Sequence, residues 1–225
     1  MKLFHILILS ILLCLTFGQF NTEAMRRDDQ VPGLSHNLTL DFSYFSGNAE
    51  IIQLMGSYRM DYLLKSNWYG FLSGQYNRAF EKTQEDFSNR GFIHFRSARP
   101  VMARIDIEGF LQKEANHFIN LENRELIGGG LRINQFEKIY FGLGFMHEME
   151  KYNDNPQKQN VIKSSNYINY KTNILQNAEL QNVIYYQFNV EQPGDYRILW
   201  DGKLSVYTSR GISFYFNTHY RFDKN

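Results

Sequence analysis

The sequence predicts an all-β protein, an antiparallel up-and-down transmembrane β-barrel of about 10–12 strands. Apolar and polar side chains alternate along most of the chain, and this period places them on opposite faces of a strand. Aromatic residues make up 16% of the sequence, although its mean hydropathy is −0.44. Several alternating segments reach about 12 residues, twice the usual length of strands in soluble proteins. Long strands with one apolar face are typical of barrels that cross a membrane.

The first residues are predicted to be a targeting signal rather than part of the fold. Lys2 precedes an apolar run over 3–17, which is too short for a membrane-spanning helix of about 20 residues. The predicted division of the chain is a signal peptide at 1–18, an N-terminal segment at 19–33, a β-barrel at 34–222 and a C-terminal tail at 223–225. Cleavage would remove Cys14, the single cysteine, so the exported chain would contain no disulfide.

Eleven segments carry the alternation. In the first of them, Leu38, Leu40 and Phe42 alternate with Thr39 and Asp41. Each later segment repeats this arrangement, and no stretch of comparable length favours the helical period. The predicted strands span 34–45, 50–62, 67–80, 87–97, 100–112, 122–134, 138–150, 161–172, 178–190, 195–208 and 211–222.

The apolar face of the later strands can be followed in order along the chain. It is formed by Ile52, Leu54, Tyr58 and Met60, by Val101, Ala103, Ile105 and Ile107, by Ile139, Phe141, Leu143 and Phe145, by Ile198, Trp200, Leu204 and Val206, and by Ile212, Phe214, Phe216, Tyr220 and Phe222. Polar residues occupy most of the positions between them. Each of these strands is therefore expected to contact an apolar environment on one side only.

The strand lengths and the connections both favour a membrane. Twelve residues at ~3.3 Å each, tilted by ~40–45°, cross about 30 Å, which exceeds an apolar band of ~25 Å. The connections at 46–49, 97–100 and 134–138 are predicted to be tight, whereas 112–121 and 151–160 are longer and polar. Single-chain bacterial barrels generally have an even number of strands, so the count of eleven leaves ten and twelve open. Either one further strand lies within 20–33, or one of the eleven segments is split or merged in this count.

Two other classes of protein remain open at this stage. A soluble exported β-barrel would show the same alternation, with its apolar face lining a ligand cavity. An outer-membrane lipid-modifying enzyme would need a serine beside a histidine, but His94 and Ser97 are predicted on opposite strand faces. His147 and Glu148 begin a zinc-protease motif, but Lys151 stands where its second histidine belongs. We expect no enzyme activity, no metal site and no cofactor, and the net charge of +1 argues against nucleic-acid binding.

The polar face is the remaining candidate for function. If lipid lies outside, the charged residues of this face point into the barrel and either pair with one another or line a narrow polar channel. The near-equal numbers of acidic and basic residues favour pairing. The candidates for lumen-facing positions are Arg59, Asp61, Arg104, Asp106, Glu108, Arg132, Glu148, Asp201 and Lys203.

Five stretches resemble one known family. They are IEGFLQKEANHFINLENRELIGGGLRI at 107–133, IYFGLGFMHEMEKY at 139–152, SGN at 46–48, SNYINY at 165–170 and VIYYQFNVEQPGDYRI at 183–198. These stretches resemble the domain-of-unknown-function 481 family of outer-membrane barrels, whose enterobacterial members are described as salt-induced outer-membrane proteins. The resemblance implies a β-barrel in the outer membrane of a Gram-negative bacterium and carries no catalytic signature.

Localisation and partners follow from the same observations. The signal peptide and the barrel predict the outer membrane, with its lipids as the surrounding partner. The last strand, 211–222, resembles the terminal strand that barrel-assembly machinery reads, because Phe214, Phe216, Tyr220 and Phe222 share one face. The functional expectation is a structural role or the passage of small solutes through a narrow lumen, and the sequence contains no signal for oligomeric state.

Overall fold

The structure, a computed structural model, describes residues 21–27, 32–47, 50–81, 86–155, 159–208 and 211–224. The predicted signal peptide at 1–18 lies outside these ranges. The described residues form eleven strands in one antiparallel sheet, in which each strand pairs with the next along the chain. The predicted all-β, up-and-down architecture is therefore confirmed, and eleven strands fall within the expected range. The described part of the chain has no helix with the length and hydropathy that a membrane crossing requires.

The strands are long, as the alternation predicts. They are β1 Gly33–Phe45, β2 Ile51–Leu63, β3 Tyr69–Glu81, β4 Asp86–Met102, β5 Ile105–Asn116, β6 Leu121–Phe136, β7 Ile139–Tyr152, β8 Gln159–Leu175, β9 Ala178–Asn189, β10 Tyr196–Tyr207 and β11 Ser213–Lys224. Two-residue turns join β4 to β5, β6 to β7 and β8 to β9 at one end of the sheet. The β2–β3 and β10–β11 connections at the same end have five residues each, and every connection at the opposite end has at least four.

Two predicted connections are wrong in position. The chain does not turn at 97–100, because β4 continues through Pro100 to Met102 and the turn falls at 103–104. Pro100 is tolerated because the β4–β5 register shifts between Pro100 and Met102, where a missing N–H costs little. The predicted loop at 112–121 is also shorter, since β5 reaches Asn116 and a single 3-10 turn follows at His117–Ile119.

The sheet curls so that side chains of distant strands meet on its inner face. Arg96 on β4 donates from Nη2 to the hydroxyl of Tyr185 on β9 at 3.3 Å. The Tyr167 hydroxyl on β8 donates to Glu108 Oε1 on β5 at 3.1 Å. Because these strands are far apart in the order of the sheet, the contacts require the sheet to curl around an interior.

The distribution of side chains is the reverse of that in a soluble protein. Among the described residues, buried polar and charged side chains outnumber buried apolar ones. Large apolar side chains instead lie on the outer face, where Leu40 is 76% exposed, Phe145 60% and Phe216 62%. A buried polar side chain or a large exposed apolar surface is the informative departure from ordinary burial, and this protein has both.

Glycines allow two close approaches within the sheet. Gly142 on β7 lies against the ring of Tyr167, which a Cβ at this position would overlap. Gly130 on β6 faces the backbone of Leu143 on β7, and a Cβ there would overlap its carbonyl oxygen. The run of three glycines at 128–130 thus lies where the neighbouring strands leave no room for a Cβ atom.

Candidate functional site in the barrel interior

A cluster of five charged side chains occupies the interior. We call Glu23, Arg26, Arg96, Glu108 and Arg132 the central cluster. Arg96, Glu108 and Arg132 come from β4, β5 and β6, whose alternation turns these positions inward side by side. Arg96 Nη1 lies 3.3 Å from Glu108 Oε2, and Arg26 Nη2 lies 2.5 Å from the same oxygen. All five side chains are at most 9% exposed, so their charges must be satisfied by one another.

The two other members of the central cluster belong to residues 21–27, which we call the inner segment. It enters the barrel without joining the sheet and forms a short turn, in which Met25 N donates to Thr22 O and Arg26 N to Glu23 O. The Asn21 side chain accepts from Ala24 N at 3.2 Å, a bond that asparagine commonly forms in turns. Asn21 also donates to the carbonyl of Val183 on β9 at 3.4 Å, which attaches the segment to the wall.

Glu23 is the most completely buried carboxylate of the central cluster. It lies 3.1 Å from Arg26, 3.1 Å from Arg96 and 3.2 Å from Arg132, and it accepts from Asn169 Nδ2 at 3.1 Å. Burial alone would raise the pKa of Glu23, but the attraction of the three guanidinium groups outweighs it and lowers the pKa to about 2. Glu23 is therefore ionised at neutral pH and fixes the inner segment electrostatically.

A second cluster fills the interior toward the longer connections. Arg124 on β6 donates to Glu114 on β5 at 2.6 Å and to Glu150 on β7 at 2.5 Å. Arg197 on β10 donates to Glu148 on β7 at 3.1 Å. Lys163 Nζ on β8 adds a further contact with Glu148 at 3.0 Å. This second cluster joins five strands through side chains that are at most 7% exposed.

The sequence-predicted lumen-facing residues divide by position. Five of them are buried within the curled sheet: Asp61, Glu108, Arg132, Glu148 and Asp201. Arg59 makes two hydrogen bonds to the carboxylate of Asp61, at 2.6 and 2.7 Å. Asp106 is half-buried, and one of its oxygens lies 3.8 Å from Arg132.

The other two predicted residues lie at the end of the sheet that has the two-residue turns. Arg104 is exposed in the turn between β4 and β5 instead of on a strand, since β4 runs beyond the expected turn. Lys203 is exposed near the end of β10, with its ammonium 5.5 Å from the ring centre of Tyr215. These two positions are separate from the central cluster.

Sequence reasoning missed the inner segment. Residues 21–27 do not alternate, so nothing in their pattern indicates that Glu23 and Arg26 enter the barrel. The signal that could have found them is chemical. Glu23 and Arg26 are three residues apart, the spacing at which opposite charges pair within one turn, and they follow the predicted cleavage region closely.

Little open space remains between these groups. The pocket beside Arg96, Glu108 and Tyr185 holds only about 10 Å³, close to the least space that a single water molecule needs. A larger cavity of about 700 Å³ opens at the end with the two-residue turns, and the inner segment forms part of its lining. The described interior beside the central cluster is thus packed with side chains, as in the smallest membrane barrels.

His94, the histidine nearest in sequence to Ser97, lies in packed surroundings. His94 Nδ1 lies 3.1 Å from Gln112 Oε1, and its ring lies between those of Phe71 and Phe110. The Ser97 hydroxyl instead accepts from the Tyr62 hydroxyl at 2.7 Å. Among the described residues, no three His, Cys, Asp or Glu side chains are grouped to hold a metal ion.

Comparison with known proteins assigns the family. A family model described as "Protein of unknown function, DUF481" matches residues 38–225, which include the second half of β1 and all of β2 to β11. No curated protein matches the chain. The match covers most of the chain and agrees with the resemblance noted in the sequence, and the chain therefore belongs to the DUF481 family.

Proposed function

We propose that this protein is an outer-membrane β-barrel of a Gram-negative bacterium, with a structural role in the envelope and an interior closed to solutes. The observation that carries the proposal is the reversed distribution of side chains, with ion pairs inside and large apolar groups outside. In water such an exterior would be a large unfavourable apolar surface. In lipid the same exterior is solvated, and the charged groups are protected within the barrel.

The strand geometry supports a membrane crossing. The strands have 12 to 17 residues, enough to span a hydrocarbon layer when tilted. Aromatic groups lie near strand ends on the outer face, among them Tyr44, Phe136 and Phe222. Such rings are enriched at membrane interfaces, where they contact both headgroups and acyl chains.

The filled interior supports a structural role over passage. A conducting lumen needs a continuous wet path, whereas the central and second clusters place paired charges across the middle of the barrel. Breaking such buried pairs costs several kcal/mol, about 3–5 when one partner is lost. The inner segment adds a further obstruction, because its Arg26 side chain bonds to Glu108 on β5 and its Asn21 side chain bonds to the carbonyl of Val183 on β9.

Localisation and partners complete the proposal. Residues 1–18 would direct export and then be removed, and outer-membrane lipids would contact the apolar face. The outer face of β11, with Phe214, Phe216 and Phe222, supports recognition by barrel-assembly machinery. We propose no enzymatic activity, and the packing of His94 away from Ser97 supports this.

The test begins with fractionation and migration. The expressed protein is expected in the outer-membrane fraction, soluble only in detergent, and unboiled samples should migrate differently from boiled ones on a gel. Recovery as a detergent-free soluble protein that carries an apolar ligand would favour the soluble barrel instead. In planar bilayers we expect no steady single-channel current, and a reproducible current from the intact protein would contradict the closed interior.

A further inference from the structure

The two end strands of the sheet, β1 and β11, have one free edge each. In the described residues β1 is paired along one edge with β2, and β11 along one edge with β10, with no ladder between β1 and β11. Almost every residue of both strands is exposed, including inward positions such as Asn37, Thr39 and Asn217. The barrel wall is therefore open along a seam between these strands.

An open seam conflicts with a lipid environment, and so this inference rests on the proposed outer-membrane location. Unpaired N–H and C=O groups cost several kcal/mol each in the hydrocarbon region, and lipid-exposed sheet edges do not occur there. Each strand contributes a row of such groups over 12 or 13 residues. Something must therefore pair with both edges in the membrane.

Strand direction restricts what can fill the seam. Eleven consecutive antiparallel strands make β1 and β11 run in the same direction, so their direct pairing would be parallel. A second copy of the chain in the same membrane orientation has the same two free edges and would also pair in parallel. One additional strand running in the opposite direction would pair antiparallel with β1 on one side and with β11 on the other.

The side chains beside the seam define the pattern of that strand. On the outer face, the seam is flanked by Leu38 and Leu40 of β1 and by Phe216 of β11. On the inner face it is flanked by polar groups, including Thr39 and His219. The missing strand must therefore alternate apolar outward and polar inward over about 12 residues.

The described ranges contain no unused segment with that pattern, because every alternating segment in them already belongs to one of the eleven strands. The apolar run at 3–17 has few polar residues and does not alternate, and the other segments outside the described ranges have at most four residues. We propose that β1 and β11 form an acceptor site for a single amphipathic β-strand supplied from outside these 225 residues, antiparallel to both.

The probe for this site is a synthetic peptide with the sequence of β10, residues 196–207, because β10 already runs antiparallel to β11. The peptide carries a cysteine at the position of Lys203, and the mature chain is naturally free of cysteine once Cys14 is removed. Single variants Thr39→Cys on β1 and Asn217→Cys on β11 report on the two edges. The control is Ser73→Cys on β3, a strand that is paired on both sides.

We expect disulfides between the peptide and both edge variants in detergent or lipid. The yield should exceed that of a permuted peptide of equal composition by about tenfold, because only the alternating order turns polar groups inward. The Ser73→Cys variant on β3 should give equal disulfide yields with the β10 peptide and with the permuted peptide. Equal yields from the permuted peptide would overturn the proposal.

Two further outcomes would also overturn it, each in a recognisable way. A Thr39→Cys/Asn217→Cys double variant that forms an intramolecular disulfide without peptide would show that the edges meet directly. Disulfide-linked dimers of Thr39→Cys would assign the seam to a second copy. If either disulfide forms in protein that fractionates with the membrane, the result contradicts the acceptor site and leaves the outer-membrane location intact. Detergent-free soluble protein would contradict the outer-membrane location as well.

Discussion

At the scale of single residues, Glu23 holds the interior together. Its carboxylate is shared by Arg26, Arg96 and Arg132 in a site without solvent access. Replacing it with glutamine keeps the shape of the side chain and removes the charge that three guanidinium groups share. Loss of one partner from a buried ion pair is among the most costly single substitutions.

We predict that Glu23→Gln lowers the free energy of unfolding by about 3 kcal/mol. Urea-induced unfolding in detergent micelles measures the change. The matched control is Glu122→Gln, which removes a carboxylate paired with Lys151 on the surface and should cost less than about 1 kcal/mol. Equal losses for both variants would contradict the central role of Glu23.

The pH dependence follows from the same carboxylate. Its pKa is about 2 in the folded protein, below the ordinary value of 4.5, so ionised Glu23 stabilises the docked inner segment. This stabilisation is fully present above about pH 4.5 and is lost as the pH falls toward 2. A fluorophore on Met25→Cys should report undocking over that interval. The same label in Glu23→Gln should show little dependence over this range, and an identical transition would assign it to another group.

At the scale of elements, Gly142 tests how the wall is packed. We predict that Gly142→Ala destabilises the protein by about 1–3 kcal/mol, because its methyl group would overlap the ring of Tyr167. Gly194→Ala, in the connection between β9 and β10, has open space around it and should stay within about 0.5 kcal/mol. Thermal unfolding monitored by circular dichroism measures the stability of both variants. A neutral Gly142→Ala would mean that Tyr167 moves aside without cost.

The inner segment is an element whose removal can be tested directly. Glu23 and Arg26 pair with each other, while Arg96 and Arg132 retain contacts with Glu108 and Asp106 on the wall. Deleting residues 21–27, which follow the predicted signal peptide, should therefore leave the barrel folded and unblock part of its interior. We predict measurable conductance for the deletion variant in a planar bilayer and none for the intact chain. Absence of current in both would show that the wall side chains close the lumen alone.

The strands could be predicted well from the sequence because every residue of an alternating segment supports the same assignment of faces. A one-residue error in register would move every side chain of a strand to the other face, so the pattern fixes which residues share a face. Turn positions are less well defined by the pattern. The predicted turn at 97–100 includes Pro100, but this residue lies at a register shift within β4. The position of the inner segment could not be predicted from the sequence. It depends on ion pairs between residues far apart in the chain, such as Glu23 and Arg132, and these pairs produce no periodic pattern in the sequence.

At the scale of the whole molecule, a charged substitution on the apolar exterior should show whether lipid or water surrounds the barrel. Ile127 lies near the middle of β6, is 53% exposed and is paired with Leu111 on one side and His147 on the other. In a bilayer, an arginine there would place a charge near the midplane, at a cost of ~2–4 kcal/mol. In water the same substitution would remove an exposed apolar group and cost almost nothing.

We therefore predict that Ile127→Arg lowers the free energy of unfolding by about 2–4 kcal/mol in phospholipid vesicles. Asp154→Arg, in the exposed connection between β7 and β8, is the control and should change it by less than about 0.5 kcal/mol. The comparison is made by denaturant titration in vesicles. Because both variants add an arginine at an exposed position, only a surrounding lipid phase can separate them, and equal stabilities would place the outer face of the barrel in water.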